Sequence, residues 1–133
     1  MKKEMLGKEI VQTYFDSLAK GDMEKVGELI SDDVIWHQPG KHQMSGIYNG
    51  KQELFPFLGK MMEITKGTLK LEPKMIMVNE DLVSVIIQFS ATRDNAQMSM
   101  AGVDLLKIQN GQIKEVWLFS EDQEAENVFW GSK

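Results

Sequence analysis

Two polar residues, Tyr14 and Asp104, lie within apolar stripes that are predicted to be buried. Tyr14 lies one helical turn before Leu18, and Asp104 lies between Gly102 and Leu106 at strand spacing. A hydroxyl and a carboxyl that face an apolar interior need hydrogen-bond partners, which they find in each other or in a ligand. We therefore predict a pocket that contains both groups.

The direction in which Asp104 points decides its chemistry. Pairing of strands through the turn at Asn110-Gly111 places Asp104 opposite Trp117 on the inward face, where lost hydration favours a neutral carboxyl. A neutral carboxyl and a buried tyrosine can both donate hydrogen bonds to a developing oxyanion. The alternative is an outward carboxylate that pairs with Lys107 or Lys114, and position alone leaves the two readings even.

Composition limits the classes of protein that the chain can represent. At 133 residues, with 42% hydrophobic and 26% charged residues, it is expected to form one soluble globular domain. The net charge of -5 and the absence of a basic stripe argue against a nucleic-acid partner, and no stretch is apolar enough for a membrane span. The chain has no cysteine, which suits a reducing compartment, so we expect a cytoplasmic protein. Two histidines and no phosphate-binding or dinucleotide motif predict neither a metal site nor a cofactor.

The first half of the chain alternates helical patterns with short extended segments. Asp22 is suited to cap the second helix. Pro56 is unfavourable inside a helix, so the third helix either begins near Phe55 or bends there. The predicted order is helix 7–20, a helix from 23 that ends at 31–33, strand 34–37, an extended piece at 47–48, and a third helix whose apolar face includes Leu58 and Met62.

The second half has the alternation of β-strands. Predicted strands cover 69–77, 82–92, 98–108 and 112–119, and a short helix over 121–130 closes the chain. Helices followed by a long meander predict an α+β domain with helices packed on the concave side of a curved antiparallel sheet. Such a cone-shaped arrangement encloses a natural pocket.

The opposite face of the sheet is also apolar. An outer face that is exposed to water should carry polar residues, so we expect a second copy of the chain to cover it and form a homodimer. The residues assigned to this outer face are Ala101, Val103, Leu105, Val116 and Leu118.

Several segments together resemble one protein family. The chain is similar to the SnoaL-like and ketosteroid-isomerase-like proteins of the nuclear transport factor 2-like superfamily over nearly its whole length. The resemblance implies a cone-shaped α+β fold, but the superfamily contains isomerases, cyclases, dehydratases and binding modules. The segments that carry it are 11–14, 19–22, 31–40, 45–46 and 102–107 before Asn110-Gly111.

The resemblance implies roles for particular residues. Tyr14 and Asp104 match the two oxyanion donors of the isomerases, whose protonated aspartate is a known example of a carboxylic acid kept neutral. Gln38 stands where those enzymes have their general base, and an amide cannot abstract a carbon-bound proton at neutral pH. Classical ketosteroid isomerase activity is therefore not expected. Asp122 lies near the position at which the SnoaL-like cyclases have their catalytic aspartate. Capping of the closing helix is the simpler role for this residue.

The remaining candidates complete the predicted site. His37 is expected to point away from the pocket and His42 to be solvated. Alternation places Glu115 inward, where it could pair with a polar group of the pocket, but a partly exposed strand acid is the favoured interpretation. Two functions follow: an enzyme that acts on a hydrophobic carbonyl compound through enol chemistry, or a non-catalytic domain that binds an apolar ligand or a protein. The residues expected to contact a ligand are Trp36, Gln38, Leu58, Met62, Met100, Gly102 and Trp117.

Overall fold

The structure, a computed structural model, describes residues 3–132, with side chains from residue 6 onward. The described part contains four helices and six strands, in the α+β order that the sequence predicts. The elements are α1 (Lys3–Lys20), α2 (Met23–Leu29), β1 (Ile30–Gln38), β2 (Gly46–Asn49), α3 (Gly50–Thr65), β3 (Lys70–Asn79), β4 (Leu82–Arg93), β5 (Ala96–Gln109), β6 (Gln112–Ser120) and α4 (Gln123–Trp130).

The six strands form one curved open sheet in the order β2-β1-β6-β5-β4-β3. All neighbouring strands are antiparallel except β1 and β6, which are parallel. The predicted antiparallel meander is confirmed for β3 to β6, whereas the parallel pairing of β1 with β6 was not predicted. Since no hairpin joins β1 to β6, alternation within either strand carries no information about their relative direction.

Local signals placed most element ends correctly. Asp22 caps α2 by accepting a hydrogen bond from the Lys25 backbone N–H at 3.1 Å. Asn110 and Gly111 both have positive φ, 54° and 76°, as the predicted hairpin turn requires. The predicted end of α2 at 31–33 was wrong, because β1 begins at Ile30 and these residues belong to the strand. Pro56 lies inside α3, which begins at Gly50.

A register shift in the β5–β6 hairpin changes which residues of β6 face inward. Ile108 pairs with Ile113, but the next pair is Lys107 with Glu115, so β6 contains one extra residue at this point. A bulge of this kind transfers every following side chain to the other face of the sheet. Asp104 consequently lies opposite Leu118 and not opposite Trp117.

The predicted faces of β6 are reversed by this shift. Val116 and Leu118 lie on the inner face with Asp104, whereas Glu115 and Trp117 lie on the outer face. The expectations of an inward Glu115, an inward Trp117 and an outer Val116 and Leu118 were therefore wrong. The inner face is covered by α1 and α3, and the core runs through it.

The loop after β1 is tied to the end of α4. The backbone N–H of Gln43 donates to the Gly131 carbonyl at 2.8 Å, and the Arg93 guanidinium donates to the Trp130 carbonyl at 2.6 Å. His42 is 1% exposed, its Nδ1 accepts from the Met44 N–H at 3.1 Å, and its ring stacks on Trp130. The expectation of a solvated His42 was therefore wrong.

None of the helices in the described residues is long and apolar enough to cross a membrane.

Candidate functional site

Tyr14 is carried over the inner face of the sheet by α1. The helix approaches the sheet closely near Gly7, where a Cβ would lie 3.3 Å from Val83 Cγ2, and Tyr14 follows two turns later. The residue is only 3% exposed. Its burial, together with the nearby charge of Asp104, raises the pKa of the hydroxyl above its ordinary value, so Tyr14 is a permanent O–H group at neutral pH.

Asp104 lies in the middle of the inner face, on β5. Its neighbours across the sheet are Val85 on β4 and Leu118 on β6, and it is 6% exposed. Burial among these side chains raises the pKa of the carboxyl from 3.8 to about 7. The inward placement predicted from the sequence is confirmed, and the alternative of a carboxylate paired with Lys107 or Lys114 does not hold.

Tyr14 and Asp104 interact electrostatically without a direct hydrogen bond. Neither the hydroxyl nor the carboxyl has a hydrogen-bond partner among the described residues, and neither is sealed off from solvent. Both therefore keep a small accessible surface inside an apolar setting. A hydrogen-bond acceptor that reached either group would satisfy a buried donor.

Trp36 and Gln38 occupy the same face on β1 and are both buried. The Trp36 indole N–H donates to Gln38 Oε1 at 3.0 Å. An indole nitrogen only donates, so the bond assigns the oxygen of the amide and leaves its NH₂ group to point elsewhere. That NH₂ group has no hydrogen-bond partner among the described residues, and it is not sealed off from solvent.

Gln38 and Asp104 lie on opposite sides of Leu118. His37 on β1 pairs with Trp117 on β6, so the following residues, Gln38 and Leu118, are also neighbours, and Leu118 pairs with Asp104. Strand spacing separates the backbones of β1 and β5 by about 9–10 Å. An amide, an aliphatic side chain and a carboxyl thus form a row across the inner face.

Met100 and Gly102 share this inner face with Asp104, as predicted. Gly102 allows close packing, because a Cβ there would lie 2.7 Å from the Phe119 carbonyl oxygen and 2.9 Å from the Phe89 ring. The Phe89 side chain therefore occupies the space beside Gly102. Whether a ligand contacts Met100 or Gly102 stays a prediction.

Leu58 and Met62, which we expected to contact a ligand, lie on α3, and Leu58 is half-buried against the core. Both line an open groove of about 510 Å³ between α2 and α3, together with Met23 and Phe55. Met62 is 47% exposed. A second groove, of about 420 Å³, runs along the other side of α3 beside Tyr48. These grooves do not include Tyr14 or Asp104.

The outer face carries a polar cluster that the sequence did not reveal. His37 points outward, as predicted, and its Nε2 lies 2.7 Å from Glu115 Oε2. The His37 ring also stacks on Trp117, with ring centres 5.4 Å apart and planes 5° apart. Trp117 therefore has a partner on the outer face and is not next to Asp104. The two consecutive polar residues Lys114 and Glu115 between the buried Ile113 and Val116 were the signal for this arrangement.

Asp122 has a structural role at the start of α4. It is exposed, and its carboxylate accepts a hydrogen bond from the Ala125 N–H at 3.0 Å. The simpler alternative, a helix cap, is therefore what the geometry shows. No group of three or more potential metal ligands occurs among the described residues.

The chain belongs to the SnoaL-like domain family, whose model matches residues 11–116. A protein of unknown function with a cystatin-like fold from Xanthomonas campestris is 43% identical, with a TM-score of 0.91 over 94% of this chain and 98% of that one. An uncharacterized protein of Mycobacterium tuberculosis is 24% identical over 92% of this chain and 94% of its own. A protein from Jannaschia, assigned as a SnoaL-like polyketide cyclase, is 17% identical with a TM-score of 0.81, covers 100% of this chain and 96% of that one, and shows the fold alone. The predicted family and fold are confirmed.

Proposed function

We propose that the protein binds a small hydrophobic carbonyl compound inside the cone, with the carbonyl oxygen accepting hydrogen bonds from Tyr14 and Asp104. One observation carries this proposal. The two O–H groups are buried, interact with one another, and have no hydrogen-bond partner among the described residues. Buried polar groups without partners are costly, and a ligand oxygen removes that cost.

The same two donors suit enol chemistry of the kind that isomerases and cyclases perform. As negative charge develops on a carbonyl oxygen, the Tyr14 hydroxyl and the neutral Asp104 carboxyl would stabilise it by stronger hydrogen bonds. The carboxyl, with a pKa of about 7, is largely neutral on the acidic side of neutrality. Donation to the oxyanion is therefore the role that we assign to both residues.

A non-catalytic binding domain is the second candidate, and one observation favours it. The candidate bases considered above do not reach the pair: His37 faces outward with Glu115, and Asp122 caps α4. Gln38 lies on the inner face, but its amide is held by Trp36 and cannot accept a proton from carbon. Two acidic donors that act without a base would bind an enol-like ligand without turning it over.

Binding of 2-naphthol, followed by its fluorescence, tests the proposal. We expect Tyr14→Phe and Asp104→Leu each to weaken binding by about tenfold, the effect of one lost hydrogen bond in a buried site. Tyr48→Phe is the matched control, because the Tyr48 hydroxyl donates to the Met44 carbonyl at 2.8 Å beside the α3 groove. Naphthalene, which lacks the oxygen, should not distinguish wild type from Tyr14→Phe. Equal affinity of 2-naphthol for all four proteins would contradict the proposal.

We also propose that two copies of the chain associate through the outer face of the sheet. With the corrected register, the apolar residues that β5 and β6 place on this face are Ala101, Val103, Leu105, Trp117 and Phe119. Phe119 is 57% exposed, an unusual state for a large aromatic side chain on a sheet. A second copy that presents the same surface would bury it through a two-fold interface.

A further inference from the structure

We propose that the Gln38 amide is a third hydrogen-bond donor of this site and selects ligands with a second acceptor oxygen, such as a diketone or a ketone carrying an ether oxygen. The proposal rests on the function proposed for Tyr14 and Asp104. It adds a specificity-determining residue and narrows the class of ligand from carbonyl compounds in general to those with two separated oxygens.

The orientation of the Gln38 amide is fixed by its surroundings. Gln38 is 6% exposed, so its side chain cannot rotate freely through solvent. Its oxygen is used by the Trp36 indole N–H at 3.0 Å. Turning the amide over would place two donors against each other and leave both the indole and the amide oxygen unsatisfied. The bond therefore fixes which side of the amide carries the NH₂ group, and both of its donors are available to a ligand.

The Gln38 amide also lies on the same face of the sheet as the Asp104 carboxyl. Gln38 and Asp104 flank Leu118 on the inner face, two strand spacings apart. A ligand lying on Leu118 would meet the carboxyl at one end and the amide at the other. The backbone separation of about 9–10 Å, shortened by the two side chains, matches the width of one or two fused rings.

The Gln38 amide should make binding affinity depend on whether the ligand carries a second acceptor oxygen. A ligand that covers the amide without accepting its hydrogen bond leaves a buried donor without a partner, which is more costly than the bond is favourable. Sites built around a donor therefore reject analogues that lack the matching acceptor. Trp36 acts as a positioning residue, since it touches the amide and fixes which atom faces the ligand.

Matched pairs of substituted naphthols test the proposal by fluorescence titration. Each pair consists of a methoxy-2-naphthol and the corresponding ethyl-2-naphthol, which have similar size and differ in one acceptor oxygen. Pairs substituted at the 5, 6 and 7 positions of the second ring place the second oxygen at three different distances from the hydroxyl oxygen. Wild type should prefer the methoxy compound by about 5- to 10-fold in at least one pair.

The variants separate donation by Gln38 from a general effect on the pocket. Gln38→Met, which keeps the size of the side chain, should abolish the preference while affinity for the ethyl compound changes by less than about threefold. Trp36→Phe should lose most of the preference, because the released amide can then turn, and a merely structural role would weaken both members of a pair equally. Tyr48→Phe should retain the full preference.

The outcomes distinguish the two proposals. Loss of affinity in Tyr14→Phe, with no methoxy preference in any wild-type pair, would overturn the role of Gln38 and leave the proposed function intact. Naphthol binding that is indifferent to Tyr14 and Asp104 would overturn both. A methoxy preference that survives in Gln38→Met would show that another donor reads the second oxygen and would also overturn the assignment.

Discussion

The indole N–H of Trp36 donates to the amide oxygen of Gln38 at 3.0 Å, from two positions earlier on the same face of β1. This bond affects both the possible catalytic role of Gln38 and the ligands that it can bind. It uses one of the two acceptor positions of the amide oxygen, whereas both donors of the NH₂ group stay unused. Position 38 thereby offers donors, where the isomerases that the sequence resembles are expected to have a base.

Gln38→Asp should introduce the missing base. A positioned general base contributes about 100- to 10,000-fold, and only part of this should appear because the pocket is not shaped for the test substrate. Isomerisation of a β,γ-unsaturated ketosteroid, followed by ultraviolet absorbance, should be slow or absent in wild type and measurable in the variant. Adding Asp104→Ala should remove the gain.

Two outcomes would contradict this prediction. Vigorous turnover by wild type would reveal another base, and no gain in the variant despite steroid binding would show that position 38 does not reach the proton. Trp36 supplies an additional check, because its N–H would donate to the introduced carboxylate, lower the carboxylate's pKa and weaken it as a base. Combining Gln38→Asp with Trp36→Phe should therefore shift the pH dependence of turnover upward.

The stability of the fold should depend on the ionisation of Asp104. Folding raises the pKa of this carboxyl from 3.8 to about 7, so the folded state binds the proton more tightly than the unfolded state. The stabilising contribution is complete below about pH 4 and is lost as the pH rises through about 7, with an upper limit of about 4 kcal/mol. Urea denaturation should show this loss in wild type relative to Asp104→Asn, whose amide does not titrate. A constant difference between the two proteins across this range would count against a buried Asp104.

Ligand affinity should follow the same ionisation. A naphthol oxygen that accepts a bond from the neutral carboxyl binds the protonated protein better, so affinity should decrease as the pH rises through about 7. The decrease should be absent in Asp104→Asn and retained in Tyr48→Phe. Affinity that increases over this range would show that the naphthol donates to a carboxylate, which reverses the proposed direction of the hydrogen bond.

Two glycines give a matched test of packing at the site. Gly102→Ala should destabilise the protein by about 1–3 kcal/mol, because its Cβ would meet the Phe119 carbonyl oxygen at 2.7 Å and the Phe89 ring at 2.9 Å. Gly59→Ala should stabilise it by about 0.5–1 kcal/mol, since Gly59 is an exposed residue of α3 with open space around it. Chemical denaturation measures both. Equal effects of the two substitutions would mean that the sheet yields at Gly102.

Association through the outer face should be sensitive to a buried charge. Val103 lies opposite Phe119 on this face, and Val103→Glu should weaken self-association by placing an unpaired carboxylate in the interface. Met62→Glu, in the groove beside α3, is the control and should leave association unchanged. Light scattering at micromolar concentration measures the state of each protein. A monomeric wild type would exclude this interface.

The sequence predicted most of the fold because its strongest signals are local. Alternation placed β4, β5 and β6 within a few residues, and Asn110-Gly111 located the hairpin by the positive φ that its turn requires. The inward direction of Tyr14 and Asp104 followed from the stripes in which they lie, since each element buries one face.

The wrong assignments on β6 arose from a single extra residue in that strand. The extra residue between Ile113 and Glu115 reversed the faces of the rest of the strand, so Trp117 and Glu115 were assigned to the wrong side. The apolar pattern of α3 did not show which way Leu58 and Met62 point either. This helix lies between two grooves and therefore has apolar residues on more than one side. The Trp36–Gln38 bond depends on side-chain geometry that spacing does not specify.

The parallel pairing of β1 with β6 also determines when the fold can be completed. His37 and Glu115, which meet across this pair, are 78 residues apart in the chain, whereas the other strand pairs close through nearby connections. Contacts of such long range form slowly, because the entropy of closing the intervening loop is lost before the contacts stabilise it. Until β6 arrives, β1 presents one unpaired edge to other molecules. A nascent chain that has not yet reached residue 112 therefore passes through a state prone to aggregation. This state ends when β6 pairs with β1 and covers its exposed edge.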